Sequence, residues 1–225
     1  MLNGLYSAAA GMIAQQTRMD ALANDISNVN TTGYKQIRMG FRDLVYNIES
    51  GMRIGAGSAL VDAGREFSPG AFQQSDSPLS LAIDGPGFFQ VRMADGRTGL
   101  TRSGDFKLDA KGALVTSSGE RLIPPITVPP GTSLDKISIS AGGVVTAGTT
   151  TIGTILLGNV ASPDQLMPVG NSMFVPTAQS GAVRTVASST MQQGFLEASN
   201  VNLADAMVNV IDAQRSFQFD SKVIQ

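Results

Sequence analysis

A few groups of side chains have the types and spacing that chemistry would need. Ser133-Leu134-Asp135-Lys136 sets a serine three residues ahead of a lysine, as in acyl transfer where a Ser nucleophile is paired with a Lys. It follows Pro129-Pro130-Gly131, opens no clear helix, and the companion motifs are missing. Asp105 with Asp109, and Asp84 with Asp95, imitate the carboxylate pair of general acid–base hydrolysis. All four lie in turn sequences, where local hydrogen bonding already accounts for an Asp. Gly55-Ala56-Gly57 starts like a dinucleotide-binding loop but lacks the third Gly and a clear preceding strand. Asn30-Thr31-Thr32 fits the N-glycosylation pattern, yet no secretory signal accompanies it. There is no His and no Cys, so the commonest general base, the commonest metal ligand and all thiolate chemistry are missing. The expectation is a chain without catalytic residues, cofactor or metal.

The bulk composition turns attention to surfaces. Of 225 residues, 42% are hydrophobic but only 15% are charged, against a usual quarter. Ser, Thr, Asn, Gln and Gly must supply the polar surface, and a charge-poor surface repels its neighbours weakly. The net charge of -2 and the absence of a basic run argue against nucleic acid as a partner. Met1-Leu2-Asn3-Gly4-Leu5-Tyr6 lacks the basic and continuously apolar regions of a secretory signal, and no stretch nears the roughly 20 apolar residues that span a bilayer. If the chain leaves the cytoplasm, it uses a route that cleaves no such signal.

The elements fall into three zones. Leu5, Met12, Met19 and Ile26 recur every seven residues, with Ala8, Leu22 and Val29 three residues after members of that series. This is the a/d stripe of a helix with a narrow apolar seam, roughly 40 Å long at 1.5 Å per residue. Asn28, Asn30, Thr31, Thr32 and Gly33 supply its stop, with Gly33 a candidate left-handed residue. At the other end Leu203, Val210, Phe217 and Ile224 repeat every seven, joined by Met207, with Asn202 as N-cap and Asp205 in the first turn. No breaker follows before Gln225. Between them lies a Gly-, Pro-, Ser- and Thr-rich middle of short strands. Phe88–Val91 follows Asp84-Gly85-Pro86-Gly87, and Asp95-Gly96 marks a hairpin. Phe106–Leu108 and Ala113–Val115 flank Asp109–Gly112, and Ser117-Ser118-Gly119 turns into Glu120–Leu122. Ile126–Val128, between two Pro pairs, reads as an edge strand, and Ile137 through Leu157 continue the β pattern.

The fold class expected is α+β: paired amino- and carboxyl-terminal helices, coiled-coil-like, with an inserted and mostly antiparallel β domain. The division is 1–30 plus 196–225 as a helical domain, 31–65 as a connecting segment, and 66–195 as the β domain. Phe88, Phe89 and Phe106 are expected in its core, and Gly33 and Gly87 to serve backbone geometry. Asn24, Asn28 and Asn30 fit either capping or contacts between molecules. Periodicity alone leaves two uses for the helices open, covering their own sheet or pairing with each other and with further copies.

Longer blocks separate these. Leu5-Tyr6-Ser7-Ala8-Ala9-Ala10-Gly11-Met12, then Asp20 through Asn30 running into Thr31-Thr32-Gly33-Tyr34-Lys35, and then Phe41-Arg42-Asp43-Leu44-Val45-Tyr46, resemble the start of flagellar rod and hook proteins. Leu81 through Val91, Thr101-Arg102-Ser103-Gly104-Asp105-Phe106, Gln193 through Asn202 and Gln214-Arg215-Ser216-Phe217 continue the resemblance in family order over nearly the whole chain. Length and a single β domain are most similar to the distal rod members. Two departures stand out: the Tyr46–Gly55 stretch is shorter than in many of those members, and the carboxyl end stops short of the family's usual helix.

The resemblance implies a non-enzymatic subunit that self-assembles into a helical tube in the basal body, an axle carrying torque from motor to hook. Terminal helices would line the inside and the β domain the outside. It implies export by the flagellar export apparatus, and as partners further copies, other rod and hook proteins and the bushing rings, with no small-molecule substrate. Leu5, Met12, Met19, Leu22, Ile26, Val29, Leu203, Met207, Val210, Phe217 and Ile224 would form the assembly interface. A hook or proximal-rod member is the nearest alternative. An envelope glycan or peptide hydrolase, or a free binding module, would be a different class.

Overall fold

A computed structural model describes residues 2–44, 47–49, 52–54, 57–186 and 188–224. Val45, Tyr46 and Gly55, which bound the shortened stretch, and Gln225 lie outside the described residues. The fold is α+β: two long helices at the chain ends and antiparallel strands between them. Among the described residues, no helix is long and apolar enough to cross a membrane. The chain divides into two compact units, one of residues 1–29, 36–66 and 201–225 and one of residues 30–35 and 67–200.

The first unit contains helix α1 (Leu2–Ser27), helix α2 (Leu203–Ile224) and a long hairpin of Ile37–Asp43 against Ser58–Arg65, in register from Met39 opposite Asp62 to Asp43 opposite Ser58, with a shift of register between Ile37 and Met39. Sequence reasoning left this hairpin unassigned within the connecting segment. The short pair Asn47–Glu49 and Met52–Ile54 lies between its strands. Asn202 caps α2 as expected: its Oδ1 accepts from the backbone N–H of Ala204 at 3.0 Å and of Asp205 at 3.5 Å. Buried Asp25, near the end of α1, accepts from the Ile37 N–H at 3.2 Å and so ties that helix end to the first strand.

Small side chains set how closely the elements of this unit approach. The buried residues of α2 are Ala206 and Ala213, seven apart, with Asp220 seven further on. On α1, Ala8, Ala14 and Leu22 are buried with Asp25. A Cβ placed on Gly11 would come within 2.8 Å of Asp220 Oδ2. Ala10 and Ser7 meet the hairpin, where a Cβ on Gly57 would stand 3.0 Å from that of Ala10. The Ala8–Gly11 run therefore keeps α1 slim on two sides. Arg18 reaches across to α2, donating to Asn209 Oδ1 at 3.0 Å, and lies 6.0 Å over the Phe41 ring.

The second unit is all β. Among the described residues its main sheet has nine strands, with Phe88–Arg92 central and antiparallel to Thr98–Thr101, Arg121–Leu122 and Leu157–Asn159. Ile137–Ile139, Val144–Ala147 and Thr150–Thr154 form a three-stranded sheet. Leu81–Asp84 pairs with Thr190–Gln193, and Phe72–Gln74 with Phe195–Glu197. The expected hairpins at Asp95-Gly96 and Asp109–Gly112 are present, as is the turn at Ser117–Gly119. Phe89 and Phe106 meet edge to face at 5.1 Å in the larger core cluster. Phe88 joins a second cluster with Phe67 and Phe174.

One expectation is corrected. Ile126–Val128 is not a strand. Pro124-Pro125 and Pro129-Pro130 remove ladder donors on both sides, so a single bridge, Ala113 opposite Thr127, remains while Ile126 and Val128 plug the core. Gly33 is left-handed as expected, at φ 66°, six residues past the end of α1 at Ser27. It belongs to the strap 30–35 of the second unit, where a Cβ would stand 2.4 Å from the Ser103 backbone nitrogen.

Two comparisons follow. Gly33→Ala combines a left-handed conformation with a backbone clash, whereas Gly96→Ala, at φ 84° with nothing within 4 Å, meets the first cost alone. Urea unfolding should show about 1–2 kcal/mol lost for Gly96→Ala and at least ~1 kcal/mol more for Gly33→Ala; equal losses would contradict the close docking of the strap. In the helical unit, Ala213→Leu should reduce helicity in circular dichroism through a loss of about 1–3 kcal/mol. Val223→Ser, on an exposed position, should leave it unchanged.

Candidate functional site

The interface residues expected from the seven-residue series occupy three environments. Leu22 is buried; Met12, Met19, Ile26, Val29, Val210 and Phe217 are half-buried; Leu5, Leu203, Met207 and Ile224 are exposed. Neither stripe is fully covered within the molecule. Further large apolar side chains outside the series also face outward. On α1 these are Tyr6, 71% exposed, and Ile13, 66% exposed. On α2 they are Val208, Ile211, Phe219 and Val223, the last two 66% and 67% exposed. At 3.6 residues per turn these four lie on the flank of α2 away from Ala206 and Ala213. A search for one seven-residue repeat cannot find a second apolar flank, although the three- and four-residue steps among these positions were there to be seen.

A second feature lies wholly inside the β unit, and sequence reasoning gave it no role. Lys35 and Glu197 both have fully buried side chains, with Lys35 Nζ 2.6 Å from Glu197 Oε1. Nζ also donates to the Ser68 carbonyl at 2.7 Å, and Oε1 accepts from the Gly70 N–H at 3.0 Å. Arg102, almost as buried, brings Nη1 to 3.4 Å from Glu197 Oε2 and donates from Nη2 to the Gly85 carbonyl at 2.9 Å. Its guanidinium carbon lies 5.4 Å over the Phe88 ring, and Nε has no hydrogen-bond partner among the described residues. Burial pulls the Arg102 pKa below its ordinary value, while the Glu197 charge and hydrogen bond push it back up. Removing one member of such a buried pair costs about 3–5 kcal/mol, because the charge left behind has neither water nor a partner.

Two of the carboxylates singled out for chemistry, Asp95 and Asp109, serve local geometry. Asp95 accepts from Arg97 through its backbone N–H at 2.9 Å and its Nε at 2.6 Å, which lowers the carboxyl pKa. Asp109 accepts from the N–H of Ala113 and Lys111, at 2.9 and 2.7 Å, and from Arg121 at 3.2 Å, with the same effect. Ser133 precedes a single helical turn, Leu134–Lys136, and makes no side-chain cap. Asn28 bonds locally, donating through Nδ2 to the carbonyl and side-chain oxygens of Asn24, both at 2.9 Å. A shallow polar groove of about 350 Å³ lies among Thr32, Ser103, Asp105, Ser117 and Asn171.

Three family profiles match in chain order. Residues 5–35 match the flagella basal body rod protein profile, 82–147 the flagellar hook protein FlgE/F/G D1 domain, and 192–225 the carboxyl-terminal profile of the flagellar basal body rod FlgEFG proteins. Lys35, Arg102 and Glu197 fall one in each. The flagellar basal-body rod protein FlgG of Borreliella burgdorferi is 36% identical over 250 residues, spanning all of this chain and 94% of that protein. FlgG of Bacillus subtilis is 34% identical over 252 residues, with the same coverage. The flagellar hook protein FlgE of Helicobacter mustelae is 36% identical over 134 residues, covering 53% of this chain and 30% of that protein. The chain belongs to the flagellar basal-body rod protein family, and over its whole length it is most similar to FlgG, the distal rod protein.

Proposed function

We propose that the chain is a structural subunit of the flagellar rod, working in the basal body by assembly and not by catalysis. The observation that carries this reading is the apolar surface left outward on both terminal helices: Tyr6 and Ile13 on α1, and Val208, Ile211, Phe219 and Val223 on α2. Fully burying one such side chain stabilises by about 1.5–3 kcal/mol, so covering several at once is a substantial drive to associate. A contact that joins one patch to a different patch on the next copy does not close on itself and extends into a helical filament.

In this reading the helices pair along a coiled-coil-like seam, and Leu5, Met12, Met19, Leu22, Ile26, Val29, Leu203, Met207, Val210, Phe217 and Ile224 contribute to contacts between copies. Residues 1–30 and 196–225 act as the assembly domain, 31–65 as the connection, and 66–195 as the outer wall of the tube. The half-buried and exposed positions of that series support this, since they leave surface for a neighbour. The partners are further copies, adjoining rod and hook proteins and the rings in which the rod turns. Delivery runs through the flagellar export apparatus as an unfolded chain. Two helices with so much uncovered apolar surface are weakly held before assembly, which suits that route.

Sedimentation tests the reading. Ile13→Ser, Phe219→Ser and Val223→Ser combined should leave secondary structure unchanged and keep the chain in the supernatant at concentrations where the unaltered protein pellets as polymer. A triple variant that pellets equally well would rule out these helix faces as the assembly surface.

A further inference from the structure

The chain passes between its two units four times, at 29/30, 35/36, 66/67 and 200/201. On the β-unit side, the stretches next to these crossings are 30–35, 67–71 and 197–200, and all three meet at Glu197. Its backbone carbonyl accepts from the Gly33 N–H at 2.8 Å. Its carboxylate holds Lys35, and Gly70 through the backbone. Lys35 in turn donates to the Ser68 carbonyl, and the Asn200 amide donates to the same carbonyl at 3.3 Å. The Ala198 N–H completes the set on the Ala71 carbonyl at 2.9 Å.

We infer that Glu197 is a positioning residue that orders the β-unit ends of all four connections in one cooperative step, making their order conditional on the docking of strand Phe195–Glu197. Charge counting supplies the reason. With Glu197 in place the buried triad carries Lys35 and Arg102 against one carboxylate, a net +1; without it the same site holds two cations, +2. Two buried cations with no anion disfavour the docked position of Lys35, and the strap 30–35 follows its lysine out. Lys35 and Glu197 are 162 residues apart, so the site cannot close on a partial chain. The inference concerns the folded subunit alone and holds whether or not the subunit polymerises.

The test is amide hydrogen exchange on the full-length, unassembled chain. In Glu197→Gln, the amides of 30–35, 67–71 and 197–200 should exchange faster together, on the order of a hundredfold or more, while those of Leu81–Asp84, Phe88–Arg92 and Thr98–Thr101 keep their rates. Acceleration confined to one stretch, or spread evenly over the unit, would overturn the cooperative joint. Lys35→Met with Glu197→Gln returns the site to +1, so most of the lost protection should come back. If the double variant is no better protected than Glu197→Gln, or fails to fold where it does, the charge account is wrong.

Discussion

A carboxylate shut away from water must find all its charge and hydrogen-bond partners within the protein, and in the β unit that constraint falls on Glu197. Its neighbours explain several choices that otherwise look arbitrary. A lysine stands at position 35 because the strap after α1 must deliver a cation. A glycine stands at 70 because its N–H must reach the carboxylate, while a Cβ there would lie 2.0 Å from the Ala198 carbonyl oxygen. Arg102 sits against Phe88 because its guanidinium needs a face to rest on once its outer edge is dry. A cluster of this kind is a poor source of stability compared with apolar packing. Its members come from three segments far apart in the sequence.

The two units answer to different physics. The β unit has closed cores built on Phe89 and Phe106 and on Phe88, and its strands are held in register by turns in which Asp95 and Asp109 accept backbone N–H groups. The helical unit has a close-packed but thin seam of Ala206, Ala213 and Gly11, and carries its largest side chains on the outside. Alanines bury little area, so that seam sets the geometry between helices more than it drives their association. The drive must come from whatever covers Ile13, Phe219 and Val223.

Much of this was legible beforehand, for reasons that can be named. Seven-residue spacing located both helices, Asn202 their second start, and Asp95-Gly96 and Asp109–Gly112 the hairpins, because each is a local signal. The hairpin of Ile37–Asp43 with Ser58–Arg65 has no local signature because fourteen intervening residues separate its strands and no short turn marks it. Ile126–Val128 looked like a strand by composition, but flanking prolines denied it a ladder. The buried cluster was missed for a different reason. Lys35, Arg102 and Glu197 each stand in a family block, but no sequence rule joins residues so far apart. The available clue was chemical: in a chain with few charges, a lone charge in a block of small and apolar residues has to be used for something.

Hydrogen exchange of α1 and α2, compared between dispersed subunits and pelleted polymer, tests the central claim most directly. Incomplete helices require that amides around Ile13 and from Val208 to Val223 exchange quickly in the subunit and become strongly protected in the polymer, with little change in the β unit. Equal protection of these helices in both states would mean that the molecule already covers its own apolar surface, and the account of assembly would fail.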